Sequence, residues 1–569
     1  MASTVANGCV GASEIMHNKQ QDCNGIEKKL LNGKVNKHKN GYVKSTLLSN
    51  GDTKLMWEGG GVPKMDWSSY DTFPGSFEKC TLLTAALTHI GLYIVMFLGF
   101  VNQLLFKPKV ATEKNREGYA TLYDPFETFF SRYLYRRVRH CFNRPICSTP
   151  GAELTLKERA SDDRNWSFRF TGAEKRCINL GSYNYLGFAE GAGGCTHADV
   201  QAASRRYGLA LCSARAELGS TPLHRELEET TAKFLGVEAA LVVGMGFGTN
   251  TLGLPGLLGA GCLALSDENN HASLILGLRL AHATVRVFRH NDVRQLERLA
   301  RAAVAEGTWR KIVIVVEGVY SMEGSIVPLG ALVALKKRLG LQLYLDEAHS
   351  VGALGARGRG ASEHAGVAPR DVDVLMGTFT KSFGAAGGYI AGTSKLINWI
   401  RQHGHAHTYA HSMSPPVAQQ ILSAMRLLDT PAGQQRVRQL KENTHYFREQ
   451  LAAMGVVTFG HRDSPVVPLL VYTFSKMAAT VERLTARRIA TVGVGFPATP
   501  LNKARIRFCL SASHTRAQLD ECLAAVRGVV AELGLAYSRQ HSPDHSPAHS
   551  PDHSPAHSPH SELDHSPTH

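Results

Sequence analysis

The chain has 569 residues, 63 Lys and Arg against 48 Asp and Glu, a formal net charge of +15, and 43% apolar residues. That length admits a large buried core and roughly two to four domains, while the excess of positive charge suits nucleic acid, acidic ligands or an anionic membrane surface. The basic residues are scattered and no nucleic-acid-binding module is present, so nucleic acid is not an expected partner; the 11 cysteines form no CxxC pair, which argues against a disulfide framework or a cysteine zinc site and for free thiols in a reducing compartment.

Residues 1–75 are polar, rich in Asn, Lys, Gly and Ser, and lack hydrophobic periodicity; they are expected to be mostly disordered. The opening MASTVANGCVGASE has no basic start followed by an apolar run, so no signal peptide is expected there. Residues 76–110 form a membrane segment around the apolar core 81–106, TLLTAALTHIGLYIVMFLGFVNQLLF, which carries no formal charge. As a helix this core is about 39 Å long at ~1.5 Å per residue, against a hydrocarbon layer of about 30 Å. Spanning is the expectation. Thr81, Thr84 and Thr88 share a face, which leaves open a helix lying in the interface, or one buried in a soluble body. Lys107, Lys109, Lys114 and Arg116 follow it and place the C-terminal bulk on the cytoplasmic side.

Residues 111–174 read as a linker and the N-terminal part of a catalytic body. Within them SRYLYRRVRHCFNR (131–144) mixes aromatics with arginines, as either a solvated basic helix or a second contact with lipid head groups. Residues 175–425 alternate short apolar runs with helical periods. EAALVVG, GCLAL, TVRVF, KIVIVVEG, LQLYLDE, DVLMGTF and GGYIAG read as strands; HRELEETTAKFLG and NDVRQLERLARAAVAEG read as helices. The alternation predicts an α/β fold with a large, mostly parallel sheet covered on both faces. Residues 426–535 read as a smaller α+β C-terminal domain. Residues 536–569 end in a His-Ser-Pro repeat that holds eight of the 26 histidines; its proline density excludes helix and sheet.

The candidate chemistry sits at strand ends. In GTFTKSFGAAGGYIAG (377–392), Lys381 lies among small residues. A lysine in water is neutral only about one time in a thousand near pH 7; burial lowers its pKa and makes it a nucleophile able to form a Schiff base beside a planar ring. In YLDEAHS an apolar strand ends in Asp346, suited either to cap a helix or to pair with a pyridinium nitrogen, and His349 follows, either a surface histidine or a donor to a phenolic oxygen. DEAH is also a helicase signature, but the chain has no GxxxxGK[ST] loop, so an ATPase reading fails. GMGFGTN (244–250) sets Gly246 and Phe247 at a helix start suited to a phosphate. His271, in SDENNHASLILG, opens a helix and is placed either to cap it or to stack on a flat ring. VEGVYSMEGS supplies Glu317 at a strand end and Ser321 in a turn. Arg507, in RIRFCLSASHT, is suited to gripping a carboxylate with two hydrogen bonds, with Arg505 as its competitor.

INLGSYNYLGFA, GMGFGTN, DENNHASL, VEGVYSMEGS, YLDEAHSVGALGARGRG, GTFTKSFGAAGGYIAG and FCLSASHT together resemble fold-type I pyridoxal phosphate (PLP) enzymes, and within them the α-oxoamine synthases, over residues 140–535. FNRPICS, NWSFRFTG, HSMSPP and GFPATPLNKARIRF resemble the lysine-bearing, catalytic, long-chain-base 2-type subunits of eukaryotic serine palmitoyltransferase. The resemblance implies a fold-type I PLP-dependent transferase preceded by a membrane-associated helix. It also implies a PLP-dependent condensation of L-serine with a long-chain acyl-CoA, palmitoyl-CoA, to 3-ketodihydrosphingosine at the endoplasmic reticulum membrane.

The same resemblance assigns roles. Lys381 bonds the cofactor and moves protons at the substrate α-carbon; Asp346 pairs with the pyridine nitrogen; His271 stacks on the ring and His349 contacts its phenolic oxygen. Gly246, Phe247, Ser321 and Thr378 seat the cofactor, Arg507 and Glu317 meet substrate, and no metal is called for. The implied partners are a homologous lysine-free subunit in a heterodimer, small membrane activators, and membrane lipid. Two stretches depart from the family pattern: LCSARAELGS has Ala216 where histidine is usual, and DENNH replaces the commoner DELNH, which puts acyl-chain preference in doubt. The soluble aminolevulinate, aminoketobutyrate and ketoaminopelargonate synthases are the alternatives within the class, and a non-catalytic scaffold subunit is the alternative outside it.

Overall fold

A computed structural model of the chain describes residues 42–47, 53–58, 82–106, 125–190, 197–496, 498–500 and 502–538. The His-Ser-Pro repeat and most of the N-terminal region expected to lack order lie outside the described residues. Part of that region departs from the expectation: β1 (Tyr42–Leu47) and β2 (Thr53–Glu58) pair antiparallel, Tyr42 opposite Glu58 and Leu47 opposite Thr53. The connecting sequence carries Asn50-Gly51, a strong hairpin signal that the polar composition masks.

The apolar segment is one helix, Leu82–Leu105. Its Ala85–Leu105 stretch has a mean hydropathy of 1.7 and is only 6% buried, so it is long and apolar enough to cross a membrane and is not a core helix of this chain. Phe100 stacks on Phe129 with ring centroids 4.2 Å apart, and the adjacent Phe130 packs edge-on against Phe474 and Phe496 of the C-terminal domain. The basic segment 131–144 is partly committed to protein: the Arg136 guanidinium lies 4.5 Å above the Trp166 ring, and Arg139 Nη1 donates to the Trp166 carbonyl at 2.6 Å.

Residues 153–179 form a hairpin, β3 (Glu153–Ala160) and β4 (Arg169–Asn179). Seven further strands build the large sheet: β5 (Ala239–Val243), β6 (Cys262–Asp267), β7 (Thr284–Phe288), β8 (Lys311–Glu317), β9 (Gln342–Asp346), β10 (Val374–Thr378) and β11 (Gly388–Gly392). Their order is β5-β11-β10-β9-β8-β6-β7, and β11 runs antiparallel to both its neighbours while the other pairs are parallel. The sequence of β8, KIVIVVE, is buried at every position after the first, because helices cover both faces of such a sheet and no alternation is left to show. The covering helices follow their caps: Thr221 accepts from His224 N to start Pro222–Leu235, and Asp292 accepts from Gln295 N to start Val293–Glu306.

The C-terminal domain holds a second sheet, β12 (Val466–Tyr472), β15 (Ala504–Cys509) and β14 (Val492–Val494), covered by helices that include Phe474–Ala486 and Arg516–Leu533. A short strand, β13 (Ile489–Ala490), pairs parallel with β4, so the N-terminal hairpin is built onto this domain. His514 seals the junction: Nε2 lies 2.9 Å from the Asn179 carbonyl and Nδ1 accepts from Ser511 N at 3.1 Å. Burial lowers its pKa to about 4. Between roughly pH 6.5 and that value the unfolded chain binds a proton that the folded chain refuses, so stability present above pH 6.5 is lost as pH falls, by roughly 3 kcal/mol in all. A His514→Gln variant is expected to show a shallower fall of the urea midpoint between pH 7 and pH 4.5; an unchanged slope contradicts this.

Candidate active site

The carboxyl ends of β8, β9 and β10 lie side by side and deliver Glu317, Asp346 and Thr378 to one edge of the sheet, with Glu317 directly opposite Asp346 in the register. Asp346 is 3% exposed. Its Oδ1 accepts from Ala348 N at 2.9 Å and its Oδ2 from Asn250 Nδ2 at 2.8 Å. Asn250 also donates to Ser273 Oγ at 3.0 Å and accepts from the Tyr344 hydroxyl at 2.7 Å, so its amide is locked and the acid is held at a fixed angle.

Lys381 follows β10 by three residues, and its Nζ reaches Thr378 Oγ1 at 3.5 Å. Burial lowers its pKa below the ordinary lysine value, against the opposing pull of Asp346 and Glu317. In the loop after Lys381, Gly387 has φ +105°, and a Cβ there would lie 2.5 Å from Met413 Cε and 2.6 Å from the Val243 carbonyl, so the turn into β11 requires glycine. Opposite, the helix Gly246–Leu257 begins after β5, and a Cβ on Gly246 would press to 3.1 Å from Thr378 Cγ2. The first-turn amides of that helix have no partner within it, which suits an anion.

His271 caps the helix Ala272–Leu280, with Nδ1 accepting from Ser273 N at 3.3 Å. Its ring meets Phe247 edge-on with centroids 5.9 Å apart. Burial lowers its pKa, so the ring is neutral. His349 is held by the Tyr185 hydroxyl at 2.9 Å from Nδ1 and by the edge of Tyr183, and burial, with Lys381 and Arg507 nearby, drives its pKa well below the usual range.

Arg507 lies over the Tyr183 ring at 4.4 Å. The guanidinium is 7% exposed, forms no ion pair among the described residues, and its Nε has no hydrogen-bond partner there. Arg505, on the same face of β15, is already committed: it donates to Met322 O at 2.9 Å and pairs with Glu323 at 3.4 Å. Of the two arginines, Arg507 is the one with a free grip.

The structure thus brings Lys381, Asp346, His271, His349, Gly246, Phe247, Ser321, Thr378, Arg507 and Glu317 to one crevice. Glu317 Oε1 accepts the backbone N–H of His271, and burial together with Asp346 pushes its pKa well above the usual carboxylate range. Sequence reading missed Asn250, Tyr183 and Tyr185 as site residues; the signals were their places inside GMGFGTN and SYNYLG.

A family model described as aminotransferase class I and II matches residues 175–526. Human serine palmitoyltransferase 3 is 47% identical over 530 residues, covering 90% of this chain and 95% of that protein. Serine palmitoyltransferase 2 of Caenorhabditis elegans is 44% identical, covering 80% of this chain and 84% of that one. Long chain base biosynthesis protein 2a of Oryza sativa subsp. japonica is 42% identical, covering 81% and 96%. The chain belongs to the serine palmitoyltransferase family. Among solved structures, this family member resembles Sphingomonas wittichii serine palmitoyltransferase with a TM-score of 0.65 and 27% identity, covering 73% of this chain and 99% of that one. It also resembles a high-resolution structure of SPT with PLP, with a TM-score of 0.64 and 26% identity, covering 73% and 100%. The fold is therefore that of the fold-type I PLP transferases, with a mixed, mostly parallel sheet.

Proposed function

We propose that this chain is a serine C-palmitoyltransferase catalytic subunit that condenses L-serine with a long-chain acyl-CoA, releasing coenzyme A and carbon dioxide to give 3-ketodihydrosphingosine. The observation that carries this reading is Lys381, an amine with lowered pKa set among small residues at the sheet edge that also presents Asp346. The donor set fits pyridoxal phosphate: a lysine without a carboxylate bonded to it, a buried acid held by Asn250, unpartnered amides at the start of Gly246–Leu257, and the flat His271 ring opposite Phe247. When bound, that cofactor supplies an electron sink for the negative charge left at the substrate α-carbon.

The chain's own residues do the rest. Lys381 Nζ takes and returns the proton at the α-carbon, because its lowered pKa leaves a lone pair available. With the cofactor bound, Asp346 would hold a positive charge at its ring nitrogen, His349 would meet its phenolic oxygen, and Ser321 and Thr378 would complete the seat. Arg507 grips the serine carboxylate and fixes which α-carbon bond stands in the reactive direction, so orientation as well as affinity rests on it. In this reading the helix Leu82–Leu105 anchors the enzyme in the endoplasmic reticulum membrane with the body facing the cytoplasm. A homologous lysine-free subunit and small membrane activators complete the assembly.

The test is conversion of labelled L-serine by membranes from cells lacking the endogenous activity, with C14, C16 and C18 acyl-CoA, with and without a lysine-free homologous partner. Formation of long-chain ketone is expected; none with any acyl-CoA, partner included, sinks the reading. In the same assay Arg507→Ala is expected to lower kcat/KM for serine about thirtyfold or more, chiefly through KM, and to leave the acyl-CoA dependence in place. A loss spread equally over both substrates would show that Arg507 holds the fold rather than the carboxylate.

A further inference from the structure

Away from the crevice, where the large domain meets the C-terminal one, three imidazoles surround a single carboxylate. Asp463 lies in the loop before β12. Its Oδ1 receives His445 Nε2 at 2.6 Å, and its Oδ2 lies 3.9 Å from Nδ1 of His364 and 3.9 Å from Nδ1 of His461. The three histidines come from different places: His364 from the short helix Ala361–His364, His445 from the helix Pro431–Ala452, and His461 from the loop itself. Donor atoms of His364, His461 and Asp463 all lie within 4.8 Å of one another. Their side chains are between 16% and 34% exposed, so an ion reaches them from solvent without opening the fold.

We propose that His364, His461 and Asp463 bind a divalent transition-metal cation of the zinc class, with His445 holding the carboxylate from behind. Zinc bonds of about 2.0–2.1 Å in a tetrahedron set neighbouring ligand atoms about 3.3 Å apart. The 3.9 Å separations around Asp463 Oδ2 need to close by only about half an ångström, within side-chain adjustment. Two imidazoles and one carboxylate select a borderline metal over magnesium or calcium, which take oxygen cages; a water completes the set.

Nδ1 of His461 accepts the Asp463 amide proton at 3.1 Å, which occupies its single in-plane lone pair, so a metal bound through that nitrogen displaces this hydrogen bond. Cations stand nearby as well: Lys441 Nζ is 3.8 Å from Oδ1, the oxygen that His445 also occupies, and Arg462 donates to His445 Nδ1 at 3.4 Å. A hydrogen-bonded second group behind a ligating carboxylate is how metal sites fix their geometry.

The site acts as a staple. His461 N donates to the Gly324 carbonyl at 2.9 Å, and Gly324 closes the turn that carries Ser321 and Met322, the latter 3.8 Å from Arg507 Nη1. A metal there ties Ala361–His364 of the large domain to the loop that backs this turn.

The full-length protein is stripped with chelator and equilibrated in buffered zinc, and bound zinc is measured beside His364→Gln, His461→Asn and Asp463→Asn. The tail from His541 carries eight histidines of its own, so the readout is the difference between wild type and variant. Each variant is expected to lose one tightly held equivalent while the tail's share persists. Cobalt substitution is expected to give the intense visible bands of a tetrahedral site in wild type and not in the variants. Equal zinc content in wild type and folded variants overturns the proposal and leaves a hydrogen-bonded junction. A wild-type chain that takes up no tetrahedral cobalt overturns it whether or not the variants fold.

Discussion

Replacing Lys381 with alanine is expected to lower turnover of labelled serine by about a thousandfold or more, in line with removal of a positioned proton-transfer group. The side chain has no structural task that alanine would forfeit: its hydrogen-bond partner among the described residues is Thr378 Oγ1, at a long 3.5 Å, and no ion pair anchors it there. The variant therefore folds, and removing a partly buried amine with a lowered pKa relieves a desolvation cost rather than adding one. A second readout separates catalysis from folding. Borohydride reduction of the wild-type holo-protein is expected to fix the cofactor covalently on the peptide that carries Lys381, and no peptide of the Lys381→Ala protein is expected to carry it. Turnover that survives the substitution would move this chain from catalyst to scaffold.

Asp346→Asn is expected to be the next most damaging change, with kcat lower by about a hundredfold to a thousandfold, the scale seen when one preorganised charge-stabilising group is lost. The replacement is isosteric, so packing around the strand end survives. Its amide cannot, however, reproduce two acceptors. Oδ1 receives Ala348 N at 2.9 Å and Oδ2 receives Asn250 Nδ2 at 2.8 Å; an Asn side chain satisfies one of these and faces the other with a second donor. Asn250→Asp in the same background restores an acceptor toward residue 346 and is expected to recover part of the fold stability but little of the rate, because its carboxylate stands one hydrogen bond behind the position that Asp346 holds. Full rate recovery in the double variant would show that the negative charge need not sit on residue 346 itself.

The parallel strands were legible because a sheet covered on both faces writes itself as unbroken apolar runs; TVRVF occupies β7 without a residue's error, and KIVIVVEG exceeds β8 by one. Direction is not written that way. Nothing in GGYIAG says that β11 runs against its neighbours, because reversal is accomplished in the loop after β10, by Gly384 at φ +61° and Gly387 at φ +105°, and not in the strand. Nor does ARIRFCLSA separate Arg505 from Arg507: period-two alternation puts both on one face, and only the distant Glu323 and Met322 carbonyl engage one and leave the other. Lys381, Asp346 and His349 could be picked out because they stand at strand ends amid residues of a different kind. Asn250, Tyr183 and Tyr185 carry no such local contrast, and their value lies in partners far along the chain, Asp346 for the first and His349 for both tyrosines.

Phe129 and Phe130 are successive residues, yet the first stacks on Phe100 of the apolar helix and the second packs into the C-terminal domain against Phe474 and Phe496. A linkage that short has no slack. On the proposed membrane placement of the helix, the body rides on a stiff mount instead of a string, and three ring contacts, rather than the entropy of a linker, set its tilt against the helix.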